Sequence, residues 1–312
     1  MTMADARNRS GADVHLVGVI GSPVAHSLSP RLHDAAFAAM GLGEAWRSFA
    51  FEIPRGAAAA ALDAMRSAAV TGLSVTMPHK GDVARLVDES SETARRLGAV
   101  NCVLARTDGS LFGTNTDGEG FVASLARGSG FTPLGRRCVV VGAGGAARAV
   151  ILALAEAGAA QVAVVNRTPE RAVGAADLAR SVGETVPSGG SELDAAVRAA
   201  DLIVNATPLG MAGTTTGGRE EWLVRPEILR GGQVAADLVY APRPTPWLVA
   251  ARAAGATTLD GLGMLVHQAA AQLALSLRQG GFAASICMIG DEPYPPYQRP
   301  PLSKKFLSER GS

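Results

Sequence analysis

The chain has 312 residues, roughly twice the common domain length of about 100–150 residues, so two domains are expected, each able to bury a core. Hydrophobic residues make up 47% and charged residues 18%, a balance that excludes a disordered chain. With 29 Lys plus Arg against 28 Asp plus Glu, the net charge of +1 gives no electrostatic basis for binding nucleic acid or an anionic membrane, and a small-molecule substrate is the expectation.

Met1 to Asp13 is polar and lacks the apolar stretch of a secretory signal, so it reads as a loose, disordered leader. The run from Val14 to Gly21 predicts a buried strand, and Pro30 to Met40 carries helical spacing ended by Gly41. A strand follows near Trp46 to Ile53, an Ala-rich helix over Gly56 to Ala68, strands at Leu73 to Thr76 and Val100 to Ala105, and a helix from Asp117 to Leu125. A second α/β run opens at Cys138, with strand 138–142, helix 145–157, strand Gln161 to Val165, helix 169–180, and strands Leu202 to Asn205 and Val234 to Val239. The last helix, Leu262 to Leu277, is apolar on much of its surface and is placed to pack back on the first domain. No apolar run reaches the roughly 18 residues of a membrane span. Cys102, Cys138 and Cys287 share no short spacing and read as reduced thiols of a cytoplasmic protein. His15, His26, His33, His79 and His267 form no zinc spacing, so no metal is expected.

Val139-Val140-Val141-Gly142-Ala143-Gly144-Gly145-Ala146-Ala147 places GxGxxA at a strand-to-helix turn, the setting of a dinucleotide loop. Gly142 permits the turn, Gly144 lets backbone approach a pyrophosphate, Ala147 allows close helix packing, and amides at the helix start, around Gly145 and Ala146, bind phosphate. An NAD site would carry an acidic residue at the end of the next strand, about 20 residues on. Here that strand runs into Asn166-Arg167-Thr168, with Arg171 one turn later. Two guanidinium groups and a hydroxyl suit a 2′-phosphate, so NADP is favoured. The bland alternative is that Arg167 and Arg171 are solvated helix-start residues. The expected fold is therefore α/β with two domains. An N-terminal α/β substrate domain takes residues 14–117 plus 262–279, and a Rossmann-type doubly wound NADP-binding domain takes 118–261.

At residues 21–30 the chain reads Gly-Ser-Pro-Val-Ala-His-Ser-Leu-Ser-Pro, with Ser29 as N-cap and Pro30 first in the helix. Ser27 and Ser29 put two hydroxyls beside a helix N-terminus, where the dipole favours a carboxylate. This stretch resembles the carboxylate-binding signature of the shikimate dehydrogenase family. The likeness continues in order through Gly72-Leu73-Ser74-Val75-Thr76-Met77-Pro78-His79-Lys80, Gly98-Ala99-Val100-Asn101 and Gly113-Thr114-Asn115-Thr116-Asp117-Gly118. Beyond the cofactor loop it includes Asn205-Ala206-Thr207-Pro208-Leu209-Gly210-Met211, Asp237-Leu238-Val239-Tyr240-Ala241-Pro242 and Gly261 to Gln268, covering roughly residues 14 to 278.

The resemblance implies an NADP-dependent enzyme interconverting shikimate and 3-dehydroshikimate, a monomer or homodimer, with Lys80 and Asp117 as the catalytic pair. It places Ser27 and Ser29 on the substrate carboxylate and Thr76, Asn101, Asp117 and Gln268 on ring hydroxyls. Tyr240 would approach the carboxylate or nicotinamide, and Asn205, Thr207, Gly261 and Met264 would lie near the cofactor. The chemistry agrees, because reducing a ketone needs a proton at the forming alkoxide and an ammonium beside it can supply one. A broader quinate/shikimate dehydrogenase and a non-catalytic NADP-binding sensor are the other readings. Ser74 stands where many relatives carry asparagine, and its shorter side chain has less reach toward the ring. From about residue 277 the chain, including Asp291-Glu292-Pro293 and Arg299-Pro300-Pro301-Leu302, resembles a fragment of FAD-dependent ferredoxin reductases. The glycine-rich turn such a flavin site needs is missing upstream, so 280–312 is expected to be a poorly ordered tail.

Overall fold

The computed structural model, which describes residues 1–11, 13–25, 27–211 and 222–281, opens with a helix where the sequence suggests a loose leader. Helix α1 (Met3–Ser10) is closed at its start by a capping box, in which the Asp5 amide donates to Thr2 Oγ1 at 3.1 Å and the Thr2 amide to Asp5 Oδ2 at 2.9 Å. Met3 and Ala6 are buried in the core of the first sheet. Arg7 donates to the carbonyls of Ala68 (2.9 Å), Ala69 (2.7 Å), Val14 (2.6 Å) and Gly11 (3.1 Å). The leader is thus corrected to a docked helix. Its composition is polar because two buried side chains and one guanidinium suffice to fix it. His26 and the tail from residue 282, with Cys287, lie outside the described residues.

The first sheet follows as β1 (His15–Gly21), α2 (Ser29–Ala39), β2 (Trp46–Glu52), α3 (Ala58–Ser67), β3 (Val70–Val75), α4 (Lys80–Leu86), β4 (Glu89–Ser90), α5 (Glu92–Leu97), β5 (Cys102–Ala105) and β6 (Leu111–Thr114). Its strand order is β2-β1-β3-β5-β6-β4. The first three strands are parallel, as their intervening helices require, whereas β5 runs antiparallel to both β3 and β6. A tight turn makes that reversal, with the Arg106 amide donating to the Ser110 carbonyl at 2.8 Å.

Helix α6 (Asp117–Ser129) leads to the second sheet: β7 (Arg137–Val141), α7 (Gly145–Glu156), β8 (Gln161–Val165), α8 (Pro169–Ala176), β9 (Gly183–Val186), α9 (Gly190–Ala199), β10 (Leu202–Asn205), β11 (Val234–Asp237), α10 (Pro246–Ala253) and β12 (Thr257–Leu259). All six strands are parallel, in the order β12-β11-β10-β7-β8-β9. Alternate residues face opposite sides: Val140, Val162, Val164 and Val204 pack with α7 and α8, while Val139, Val165 and Ile203 pack with α9 and α10. The helix expected over 169–180 ends at Ala176. A tighter turn, Asp177–Val182, follows, with Arg180 at φ 53°.

Helix α11 (Leu262–Gln279) then returns to the first sheet, packing on α6, α2, β3 and β5. It crosses α6 on small residues. A Cβ at Gly120 would lie 3.1 Å from the Gln268 amide nitrogen, and one at Gly263 would overlap the Ser124 hydroxyl. A second seam joins the sheets where Leu97 and Ala99 pack on Ala149 and Leu152 of α7. There Arg148 donates to the Leu97 carbonyl at 3.2 and 3.3 Å. All described residues belong to one compact unit.

Arg7→Ala is expected to lower stability by about 1–3 kcal/mol, the cost of leaving partly buried carbonyls without a charged donor. Thermal unfolding checks this, and an unchanged midpoint would mean that α1 does not dock in solution.

Candidate active site

Strand directions bring three distant segments to one end of the inner strands of the first sheet. The end of β3 lies beside the start of β5, with Ser74 opposite Cys102, and the start of β5 lies beside the end of β6, with Cys102 opposite Thr114. Lys80 follows β3, Asn101 precedes β5 and Asp117 follows β6, so all three converge although 37 residues separate the first from the last.

Lys80 Nζ donates to Asp117 Oδ2 at 2.5 Å. The carboxylate is 1% exposed and the lysine side chain 17%, so the pair is largely withdrawn from water but still approachable on the lysine side. Asn101 Nδ2 donates to Asp117 Oδ1 at 2.7 Å, and Asp117 begins α6, where the helix dipole favours a negative charge. Asn101 in turn accepts the Thr116 amide at 2.9 Å and lies 3.4 Å from Gln268 Oε1. Asn115 closes the turn, accepting the Asp117 amide at 3.1 Å and donating to the Ala99 carbonyl at 3.0 Å. His79, just before Lys80, is buried and bonds the Ile53 carbonyl through Nε2 at 2.7 Å, pinning the loop that carries the lysine. Thus Lys80, Asn101, Asp117 and Gln268 form one hydrogen-bonded group.

The serine motif differs from expectation in one detail. Leu28, with φ −82° and ψ −10°, is the N-cap, Ser29 is the first helical residue and Pro30 the second. Ser27 Oγ accepts the Ser29 amide at 3.3 Å, which lets the helix begin one residue earlier than the Ser-Pro pattern suggests. Thr76 packs its methyl over Gly21, where any Cβ would overlap it. Ser74, by contrast, points away from the group and donates to Gln272 Oε1 at 2.6 Å.

In the second sheet, β7 and β10 are neighbours whose connections leave to opposite sides, the switch point where open α/β sheets bind ligands. Gly142 there has φ 119°, and a Cβ would stand 2.9 Å from the Ala206 carbonyl oxygen. A Cβ on Gly144, the N-cap of α7, would meet nothing within 4 Å, and no side chain caps that helix. Open space before uncapped amides, including those that follow at Gly145 and Ala146, fits a pyrophosphate. Asn166 is held by a bond from its Nδ2 to the Thr168 carbonyl at 3.0 Å, while Arg167, Thr168 and Arg171 are exposed. Neither guanidinium has an ion-pair partner among the described residues, so both are available to a phosphate. The two sites meet: a Cβ on Gly145 would lie 3.7 Å from Lys80 Cδ.

The remaining sequence candidates do not join the lysine group. Asn205 is turned into a buried network, donating to Asp237 Oδ1 at 3.0 Å and accepting from the hydroxyl of Thr207 at 2.6 Å. Met264 is buried in the core of the second sheet, and Gly261 permits close passage of the Leu238 carbonyl. Tyr240 is half-buried beyond β11, and burial pushes its phenol up, so it stays neutral. Sequence reading missed Asn115, Gln272 and Asp237 as members of these networks. Asn115 and Asp237 lie in motifs already singled out, and polar residues at strand ends were the available signal.

A doubly wound sheet with a glycine loop at its switch point, set against a buried Lys–Asp pair on a second sheet, defines a dinucleotide-dependent dehydrogenase. Residues 19–103 match the family described as the shikimate dehydrogenase substrate binding domain, and 128–214 match the shikimate / quinate 5-dehydrogenase family. The chain is 42% identical over 268 residues to the shikimate dehydrogenase (NADP(+)) of Moorella thermoacetica, covering 85% of this chain and 88% of that protein. The structure of shikimate 5-dehydrogenase from Thermus thermophilus in complex with NADP(H) and shikimate superposes with a TM-score of 0.74 at 37% identity, covering 86% of this chain and 97% of that one. Quinate dehydrogenase from Corynebacterium glutamicum in complex with NAD gives 0.76 at 34%, covering 85% and 94%. The chain belongs to the shikimate dehydrogenase family.

Burial pushes Asp237 up from 3.8 to about 6, despite bonds from Thr245 Oγ1, the Val239 amide and Asn205. The folded chain therefore holds that proton more tightly than the unfolded chain. The resulting stabilisation is complete below about pH 4 and is lost as pH rises through about 6. Asp237→Asn is expected to flatten this part of the stability–pH curve, measured by urea unfolding; a variant curve parallel to the parent's would refute the assignment.

Proposed function

We propose that the chain catalyses the NADP-dependent, reversible reduction of 3-dehydroshikimate to shikimate. The observation that carries this reading is the approach of Lys80 to the first residue of the cofactor helix while its ammonium rests on Asp117. NADPH, when bound, supplies the hydride. Lys80 hands a proton from Nζ to the carbonyl oxygen as it becomes an alkoxide, and takes it back in the reverse direction. Asp117 holds the ammonium in place and balances its charge, and Asn101 fixes the carboxylate. Asn101, Asp117, Thr76 and Gln268 take the ring hydroxyls, and Ser27 and Ser29 at the start of α2 take the substrate carboxylate.

Gly142, Gly144, Gly145 and Ala146 cradle the pyrophosphate, and Asn166, Arg167, Thr168 and Arg171 take the 2′-phosphate. Asn205, Thr207, Gly261 and Met264 shape the nicotinamide side by fixing the loops after β10 and β11, and Tyr240 borders it. In this reading residues 14–117 plus 262–279 form the substrate-binding unit and 118–261 the cofactor unit. The protein works in the cytoplasm as a monomer or homodimer. No helix among the described residues is long and apolar enough to cross a membrane.

Initial rates of NADPH formation from shikimate and NADP, run beside quinate and NAD, test the reading. Shikimate with NADP is expected to be the fastest pair, and Lys80→Ala is expected to lower kcat by about 10²–10⁴-fold, the usual worth of a general acid–base group. Faster turnover of quinate with NAD would favour the broader quinate/shikimate enzyme. NADP binding without turnover of either acid would favour a sensor.

Arg167→Ala and Arg171→Ala are each expected to raise KM for NADP by roughly 10–100-fold while leaving kcat near the parent value, since each removes a charge-assisted phosphate contact worth about 1.5–3 kcal/mol. Unchanged KM in both variants would place the 2′-phosphate elsewhere.

A further inference from the structure

Behind the substrate-side strands lies a cavity of about 10 Å³, bordered by His33 of α2, Gly72 and Ser74 of β3, Cys102 of β5, and Gln272 and Ser276 of α11. A single water needs about that much room, together with two to four polar partners. His33 is 3% exposed, and burial pushes its ring down to about 4, so the imidazole is neutral. Its Nδ1 pairs with Ser48 Oγ at 3.1 Å, while Nε2 is buried and has no protein partner. Whichever nitrogen carries the proton, Nε2 remains a donor or an acceptor with its bond unmade.

The same cavity is lined by matching groups. Ser74 gives its proton to Gln272 Oε1, which leaves lone pairs on its own oxygen. Gln272 Nε2 uses one hydrogen on the Asn101 carbonyl at 3.1 Å, which leaves a second. The Ser276 hydroxyl adds a group able to turn either way. The rest of the lining, Val17, Leu73 and Leu273 among it, is apolar, so a neutral space of this size with a few polar groups selects one small neutral hydrogen-bonding ligand and leaves no room for an ion with its shell.

We propose that this cavity binds one water molecule, which bridges His33 Nε2 to the Ser74–Gln272 pair and so joins α2, β3 and α11 behind the candidate active site. The bridge completes a chain of hydrogen bonds from Ser48 through His33, Ser74 and Gln272 to the backbone of Asn101. Its test reads occupancy and coupling rather than turnover, so it stands or falls separately from the catalytic reading.

A high-resolution crystal structure of the full chain is expected to show one density peak within hydrogen-bond distance of His33 Nε2 and of at least one of Ser74 Oγ, Gln272 Nε2 or Ser276 Oγ. A cavity without density, or density bonded to none of these groups, would overturn the proposal. In solution, His33→Leu and Ser276→Ala are each expected to lower the unfolding midpoint. The double variant should lower it by clearly less than the sum, because both remove the same molecule. Strictly additive shifts would overturn the shared bridge, and should His33→Leu not fold, the crystal structure of the parent chain decides alone.

Discussion

A carboxylate excluded from water must be answered on every side, and Asp117 sets that requirement for the first sheet. Taking two charges out of solvent is repaid only when geometry and extra hydrogen bonds are both good. Here Lys80 takes one oxygen, Asn101 the other, and Asn115 the backbone amide. Each of those partners is then fixed in turn, Lys80 by the His79 anchor and Asn101 by Thr116 and Gln272. The antiparallel run of β5 and β6 follows the same logic. A purely parallel sheet would put the start of β5 and the end of β3 at opposite ends, and the three residues would not meet.

The second sheet has a simpler construction, because its glycine turn offers mostly uncapped backbone amides. Six parallel strands put every strand end on one side, and the divergence of β7 and β10 opens the crevice. What makes the two sheets act together is small residues. Gly118 approaches the Ala149 carbonyl of α7 so closely that a side chain there would force the helices apart. That spacing keeps the lysine beside the cofactor loop.

Local features were legible in the sequence and distant ones were not. The glycine turn and the lysine, asparagine and aspartate segments each carry their signal within a few residues. Helix α1 escaped although Thr2 and Asp5 carry a local capping signal, because its docking depends on Arg7 reaching carbonyls more than 60 residues away. The pairing of Ser74 with Gln272 spans 198 residues and leaves no local trace. Asn205 illustrates the reverse case. Its motif marks the right loop, yet its amide faces inward to Asp237, because a buried carboxyl beside it demands the donor. The start of α2 was misplaced by one residue for a smaller reason, since Ser27 rather than Ser29 supplies the hydroxyl at the turn.

The crossing of α6 and α11 also says something about how such a molecule is assembled. Gly120 approaches Met264 and Gln268, and Gly263 approaches Ser124, so the two helices run antiparallel. The chain leaves the first sheet on one and comes home on the other, side by side. Everything between Arg137 and Leu259 is therefore an insertion whose two ends are adjacent, and an insertion of that kind behaves as a cassette. A unit entered and left through two neighbouring helices can be exchanged at those helices without redrawing the first sheet.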